Sequence, residues 1–211
     1  MASKPPQPSA PPGHIRAAAQ AVAQALNDKQ CYAVVGGAAC SLLGSTRYTV
    51  DIDIVVPKGS TKAARSLLKS RLDDFEIDPR TQHTAYRSVP PVQIEILTPP
   101  LLFRGEFTSS TPVISVQGVQ VLKPALILNA KCKSIIDRPS EQKRDSDAGD
   151  IKFLLTWCAE NNINPQWGDE VPNATLRFVQ YFISVYSEPL LWTNVGFDLK
   201  GTMSLWPLSR E

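Results

Sequence analysis

Two aspartates alternate with isoleucines in Asp51-Ile52-Asp53-Ile54, thirteen residues after the glycine pair Gly36-Gly37. Tyr48–Val56 has the composition of a strand, and strand side chains alternate faces. Both carboxylates therefore share one side, roughly 6–7 Å apart along the backbone. Paired carboxylates at that spacing suit Mg²⁺, a hard cation that takes oxygen ligands and accepts few of them from protein. Two such ions about 3.5–4 Å apart can activate an attacking oxygen and stabilise a departing phosphate oxygen. A site of this kind needs a third acid, and Glu95 supplies one. In Val92–Leu97, Val92, Ile94 and Ile96 point one way while Gln93 and Glu95 point the other. An acid inside an apolar strand costs desolvation unless a cation neutralises it. Asp51, Asp53 and Glu95 are thus the expected catalytic residues and metal ligands. The plainer alternatives are a solvated edge strand for the aspartates and an open sheet face for Glu95. Forty-one residues separate Asp53 from Glu95, so their adjacency depends on topology.

The glycine pair belongs to the same picture. Two glycines between a strand and a helix let the backbone approach a ligand closely, and a helix starting at Ala38 turns free N–H groups toward phosphate oxygens. Ser41, one turn in, adds a hydroxyl. Arg47 and Thr49, just before the aspartates, are candidates for holding nucleotide phosphates. A phosphate-binding turn beside a metal-binding strand is what phosphoryl transfer requires.

The elements that position these residues can be read from periodicity. Ile15, Ala18, Ala19, Val22, Ala25 and Leu26 form one helical stripe ending at Asn27-Asp28. Tyr32–Val35 reads as a buried strand, Ala38–Leu43 as a short helix and Thr61–Leu72 as a longer one. Strands follow at Phe75–Asp78, Thr84–Ser88 and Val92–Leu97. Val113–Val116 and Val119–Leu122 flank Gln117-Gly118, a hairpin signal. Beyond them helical stripes recur: Ala125, Leu128, Cys132 and Ile135, then Ile151, Leu154, Leu155 and Cys158 after a charged loop from Asp137 to Ser146. A last helix is expected within Ala174–Tyr186, with Trp192, Phe197 and Trp206 packing the end of the chain down.

Composition excludes several classes. Of 211 residues, 22 are Lys or Arg and 20 are Asp or Glu, a net charge of +2 that rules out bulk polyanion binding and leaves room only for a local patch. The apolar runs fall far short of the ~18 residues a membrane helix needs. Four scattered cysteines and two histidines make neither a zinc site nor a disulfide framework. Residues 1–13 are Pro-rich and lack the apolar core of a signal peptide, so an intracellular, cytoplasmic protein is expected.

Gly-Gly, a helix, Asp-x-Asp on the next strand and a later strand acid resemble the nucleotidyltransferase superfamily related to DNA polymerase β. The string GGAACSLLGSTRYTVDIDIVV is more similar to the nucleotidyltransferase-like toxins of abortive-infection, type IV toxin–antitoxin systems and their fungal relatives. Their motif Gly-Gly…Arg-x-Ser/Thr-x-Asp-x-Asp falls on Gly36, Gly37, Arg47, Thr49, Asp51 and Asp53. A downstream helical lysine matches Lys131, and an Asp-x-x-Asp pair matches Asp147 and Asp150. The likeness spans about residues 32–158.

The resemblance implies transfer of a nucleoside monophosphate from an NTP, ATP included, with Mg²⁺ or Mn²⁺, to a hydroxyl or phosphate acceptor. RNA such as the tRNA 3′ end, protein and small molecules are all compatible acceptors. Lys131, on the flank of its helix stripe, could neutralise a triphosphate or snorkel to solvent. Asp150 is a candidate nucleotide contact, whereas Asp147 could merely cap a helix start. Lys123, Lys133, Arg138, Lys143 and Arg144 form a basic cluster that could meet RNA phosphates, but with Asp137, Glu141 and Asp145 interspersed it reads as a solvated face. The competing reading is a catalytically silent module of the same fold that binds nucleotide or protein. The expected architecture is α/β (α+β): a Pro-rich tail over 1–13, a minimal nucleotidyltransferase core over 14–122 with a mixed sheet flanked by helices, and a helical C-terminal portion over 123–211.

Overall fold

Ile15, Ala18, Ala19, Val22, Ala25 and Leu26 recur every three or four positions and are all buried, which makes α1 (Pro12–Leu26) amphipathic. The computed structural model describes residues 12–100 and 103–200. The helix begins inside the expected tail, with proline at its first position, where a missing N–H costs nothing. The rest of that tail, and Trp206, lie outside the described residues. The chain divides into two compact units, with the boundary between Lys123 and Pro124.

The first unit is built on a mixed sheet of β1 (Ala33–Val35), β2 (Asp51–Val55), β3 (Phe75–Ile77), β4 (Thr84–Tyr86), β5 (Val92–Leu97), β6 (Val113–Val116) and β7 (Val119–Leu122). Their order is β3-β4-β5-β2-β1-β7-β6. β2 pairs parallel with β5 and β1 parallel with β7, while the other neighbours are antiparallel. Val34, Ile52, Ile54, Ile94 and Val121 share one face and are buried. Helices α1 and α3 (Thr61–Lys69) pack on the sheet. At the β6–β7 hairpin, Gln117 and Gly118 both take positive φ, 52° and 82°, as a two-residue primed turn requires.

Between β1 and β2 lies α2 (Gly36–Leu42). It follows β1 without a loop, so the glycines open the helix rather than precede it, a correction to the expected start at Ala38.

In the second unit α4 (Pro124–Asp137) packs on α5 (Glu141–Glu160). The expected charged loop to Ser146 is corrected here. Its residues from Glu141 onward are helical, because the Ser140 side chain accepts the Lys143 backbone N–H and closes the first turn. α6 (Leu176–Tyr186) is capped in the same way by Thr175, which accepts from Phe178 N–H at 3.1 Å. A further helix, α7 (Pro189–Asn194), carries Trp192 into a cluster with Trp167, Phe178, Phe182 and Phe197. No helix among the described residues is long and apolar enough to cross a membrane.

Candidate active site

The end of β1 lies against the middle of β2, with Val35 opposite Asp53. The chain leaving β1 therefore passes directly over the Asp53 carboxylate. Gly36 takes φ +65°, and a Cβ there would stand 2.5 Å from Asp53 Oδ2. A Cβ on Gly37 would collide with the Arg47 guanidinium and lie 3.2 Å from Thr49 Oγ1. The glycine pair is thus a passage that Asp53 fills from one side and Arg47 and Thr49 from the other. Gly36→Ala is expected to cost about 1–3 kcal/mol, read as a lower urea midpoint, because alanine is strained at that φ and its methyl has no room.

β5 settles the third acid's position. Its parallel register places Gln93 beside Asp51 and Glu95 beside Asp53. Facing residues of adjacent strands project to the same side about 4.8 Å apart, so Glu95 stands on the aspartates' side of the sheet. The forty-one-residue gap is closed by strand pairing. The desolvation argument for Glu95 is corrected, however. Its side chain is exposed, so solvent already stabilises its charge and only the register connects it to Asp53.

The surrounding polar groups are anchored locally. Thr49 Oγ1 lies 3.2 Å from Asp51 Oδ1 and 3.4 Å from the Asp51 carbonyl oxygen, and it can donate to either. Arg47 donates from its backbone N–H to Ser45 Oγ at 3.3 Å and from Nη1 to the Tyr48 carbonyl at 3.3 Å. From Thr46 to Val50 exposure alternates, with Arg47 and Thr49 half-buried and Thr46, Tyr48 and Val50 outward. Ser41 sits half-buried near the end of α2. In this arrangement the carboxylates do not close into a cage: among the described residues no three His, Cys, Asp or Glu side chains are grouped tightly enough to hold a metal. A cavity of about 710 Å³ in this unit lies elsewhere, lined by Lys58, Pro99, Pro100, Arg104 and Phe107.

Lys131 and Asp150 belong to the second unit. Lys131 is buried and neither snorkels nor stands alone: its Nζ reaches Asp147 Oδ1 and Asp150 Oδ2, each at 2.7 Å. Asp147 also accepts from Arg138 Nε at 2.7 Å and from Ser134 Oγ at 2.8 Å. Burial alone pulls the Lys131 ammonium toward neutrality, but the Asp150 and Asp147 carboxylates outweigh it and its pKa is raised. For Asp147, burial pushes the pKa up, and the Arg138 and Lys131 contacts outweigh that and lower it. Both aspartates lie within α5, so the capping alternative for Asp147 falls. Arg138, expected on a solvated face, and Ser134, which sequence reasoning missed, complete the cluster. The signal was their spacing: Lys131 and Ser134 stand at i and i+3 on one face of α4, and Arg138 follows directly after the helix ends at Asp137.

The sequence matches no family model and no curated protein. Solved structures do match. An antigenic nucleotidyltransferase-like protein from Paracoccidioides brasiliensis superposes with a TM-score of 0.63 at 22% identity, over 90% of this chain and 95% of that one. The fold is nucleotidyltransferase-like. A candidate nucleotidyltransferase from H. pylori is 20% identical at a TM-score of 0.54, over 88% of this chain and 86% of its own. JHP933 from Helicobacter pylori is 18% identical at 0.54, over 87% and 86%. These likenesses establish the mixed α/β architecture of a nucleotidyltransferase-like fold.

Proposed function

We propose that this chain is a nucleotidyltransferase that moves a nucleoside monophosphate from an NTP to a hydroxyl or phosphate acceptor, of the kind found in the abortive-infection toxins and their fungal relatives. The observation that carries the reading is the β2–β5 register, which sets Glu95 beside Asp53 and on the same face as Asp51. Three carboxylates there give an all-oxygen donor set of the type Mg²⁺ or Mn²⁺ takes. Gly36 brings bare backbone up to the Asp53 carboxylate, where a Cβ would stand 2.5 Å from Oδ2. Asp51, Asp53 and Glu95 would be the residues to hold such an ion, on drawing closer together than they stand here. When bound, it supplies Lewis-acid stabilisation of the attacking and leaving oxygens.

The chain's own residues supply the remainder. Gly36 and Gly37 keep side chains off the turn beside Asp53, Arg47 offsets the charge of the triphosphate, and Ser41 and Thr49 offer it hydroxyl donors. The acceptor oxygen attacks the α-phosphorus, the bond from that phosphorus to the bridging oxygen breaks, and pyrophosphate leaves with the electron pair. Glu95, open to solvent, takes the acceptor's proton. Lys131 has committed two of its three donors to Asp147 and Asp150. Any part it and Asp150 play in nucleotide binding therefore runs through the cluster, with a single donor left for phosphate.

Incubation of the full chain with each α-labelled NTP, Mg²⁺ or Mn²⁺, and cellular RNA, protein or small-molecule acceptors tests this. Label transfer with release of pyrophosphate is the expected result, and none with any NTP overturns it. The exposure of Glu95 favours a second reading, a silent module of this fold that binds nucleotide or protein without turnover. NTP binding without pyrophosphate release would select it.

A further inference from the structure

From Lys58 to Leu72 the chain carries five cations, Lys58, Lys62, Arg65, Lys69 and Arg71, and no carboxylate. Most of this run is α3 and its entry. Ala64 and Leu68 turn inward and are buried. At 100° per residue, Lys62, Arg65 and Lys69 fall within an arc of about 60° on the other side of the helix. Lys58, Lys62 and Lys69 are exposed and Arg65 is half-buried. Only Arg71 is neutralised, by Asp74 at 2.6 Å; the other four form no ion pair with a described carboxylate. Arg65 Nε is also buried with no hydrogen-bond acceptor among the described residues.

Helix electrostatics do not account for this arrangement. Cations at the end of a helix complement its dipole, but Lys58 and Lys62 stand at the beginning, where acids are favoured and α3 has none. Cations three and four apart also repel one another. The ridge opposes the helix that carries it and is left uncompensated inside the protein, so its complement is external and anionic. A membrane is disfavoured, because the apolar side of α3 is already spent in the core and no apolar face remains to enter a bilayer. Lys62, Arg65 and Lys69, about one helical turn apart along α3, make a row that fits a chain of phosphates better than one small anion.

We propose that the outer face of α3 is a docking surface for the phosphate backbone of a polynucleotide. α3 packs against α1, β3 and β5, and none of its cations is among the residues of the carboxylate site. Backbone contacts of this kind position a polymer without reading its bases.

The test is fluorescence anisotropy with a fluorescein-labelled single-stranded RNA of mixed sequence, measured from about 50 to 200 mM salt. The variant is Lys62→Ala with Lys69→Ala, both exposed, and a thermal melt checks its folding. The wild-type chain is expected to bind with affinity falling linearly in log–log salt. The variant should flatten that slope by about 1.4, roughly 0.7 for each phosphate no longer neutralised, and charge reversal at the same sites should weaken binding at least ~10-fold. No wild-type binding at the lowest salt, an unchanged slope in the variant, or equal affinity for polyglutamate would overturn the proposal. Asp51→Ala with Asp53→Ala should keep the binding while losing transfer, so failure here and failure of the enzymatic reading are distinguishable.

Discussion

Asp53→Asn is expected to lower nucleotidyl transfer by about 10³-fold or more, some 4 kcal/mol of transition-state stabilisation at 1.36 kcal/mol per decade. Asparagine is nearly isosteric, so it still fits the passage over Gly36 and the fold should survive, which a thermal melt checks. What is lost is the negative charge that an oxygen-ligated cation needs, and one oxygen of the donor set. Asp51→Asn should match it, because both carboxylates project from one side of β2. The double variant should be little worse than either single one, since residues acting as a unit are not additive. Glu95→Gln should behave differently. If Glu95 receives the acceptor's proton, its loss lowers kcat by about 10²–10⁴ while NTP affinity holds. Transfer retained in Asp53→Asn would remove the aspartates from the chemistry altogether.

Lys131→Met is the second large effect, and it falls on stability. The ammonium lies between two buried aspartates, so its removal leaves Asp150 without that partner and Asp147 with Arg138 and Ser134. Breaking a buried ion cluster at one member costs about 3–5 kcal/mol, read as a lower urea midpoint. Replacing Lys131 and Asp150 together by apolar residues of similar volume should recover most of it, because no charge is then stranded. The pH dependence follows from the shifts. Asp147 is held below its usual 3.8, so its contribution is present above that value and disappears as pH falls below it. Lys131 is raised above its usual 10.5, so its contribution is full below that value and is lost as pH climbs through the raised one. The cluster should therefore be intact from about pH 4 to 10, and Asp147→Asn should flatten the acid limb of a pH series of urea midpoints.

Much of the first unit was legible because it obeys simple periods. The Ile52/Ile54 alternation, the Val92–Leu97 strand and the Gln117-Gly118 turn all rest on contacts within a few residues. The β2–β5 register does not. It is fixed by packing between segments forty-one residues apart, and no local pattern encodes it. The start of α5 was hidden for another reason: residues 141–146 are mostly exposed and charged, so that turn carries no apolar stripe, and Ser140 was its only mark. The buried cluster was half visible, as lysine and aspartate positions on two stripes. Their meeting required knowing which face of α4 meets α5.

The pairing of β1 with β7, through Val34 and Val121, has a consequence for biosynthesis. Once β1 has left the ribosome, its partner on that side follows only 87 residues later. Closing so large a loop carries an entropic penalty that only the finished sheet repays. Until β7 is translated, β1 has one unsatisfied edge, and the nascent sheet is open to wrong partners. Completion of this unit therefore waits for nearly the whole of its sequence, and truncation before Leu122 should yield aggregation-prone chains rather than a smaller folded protein.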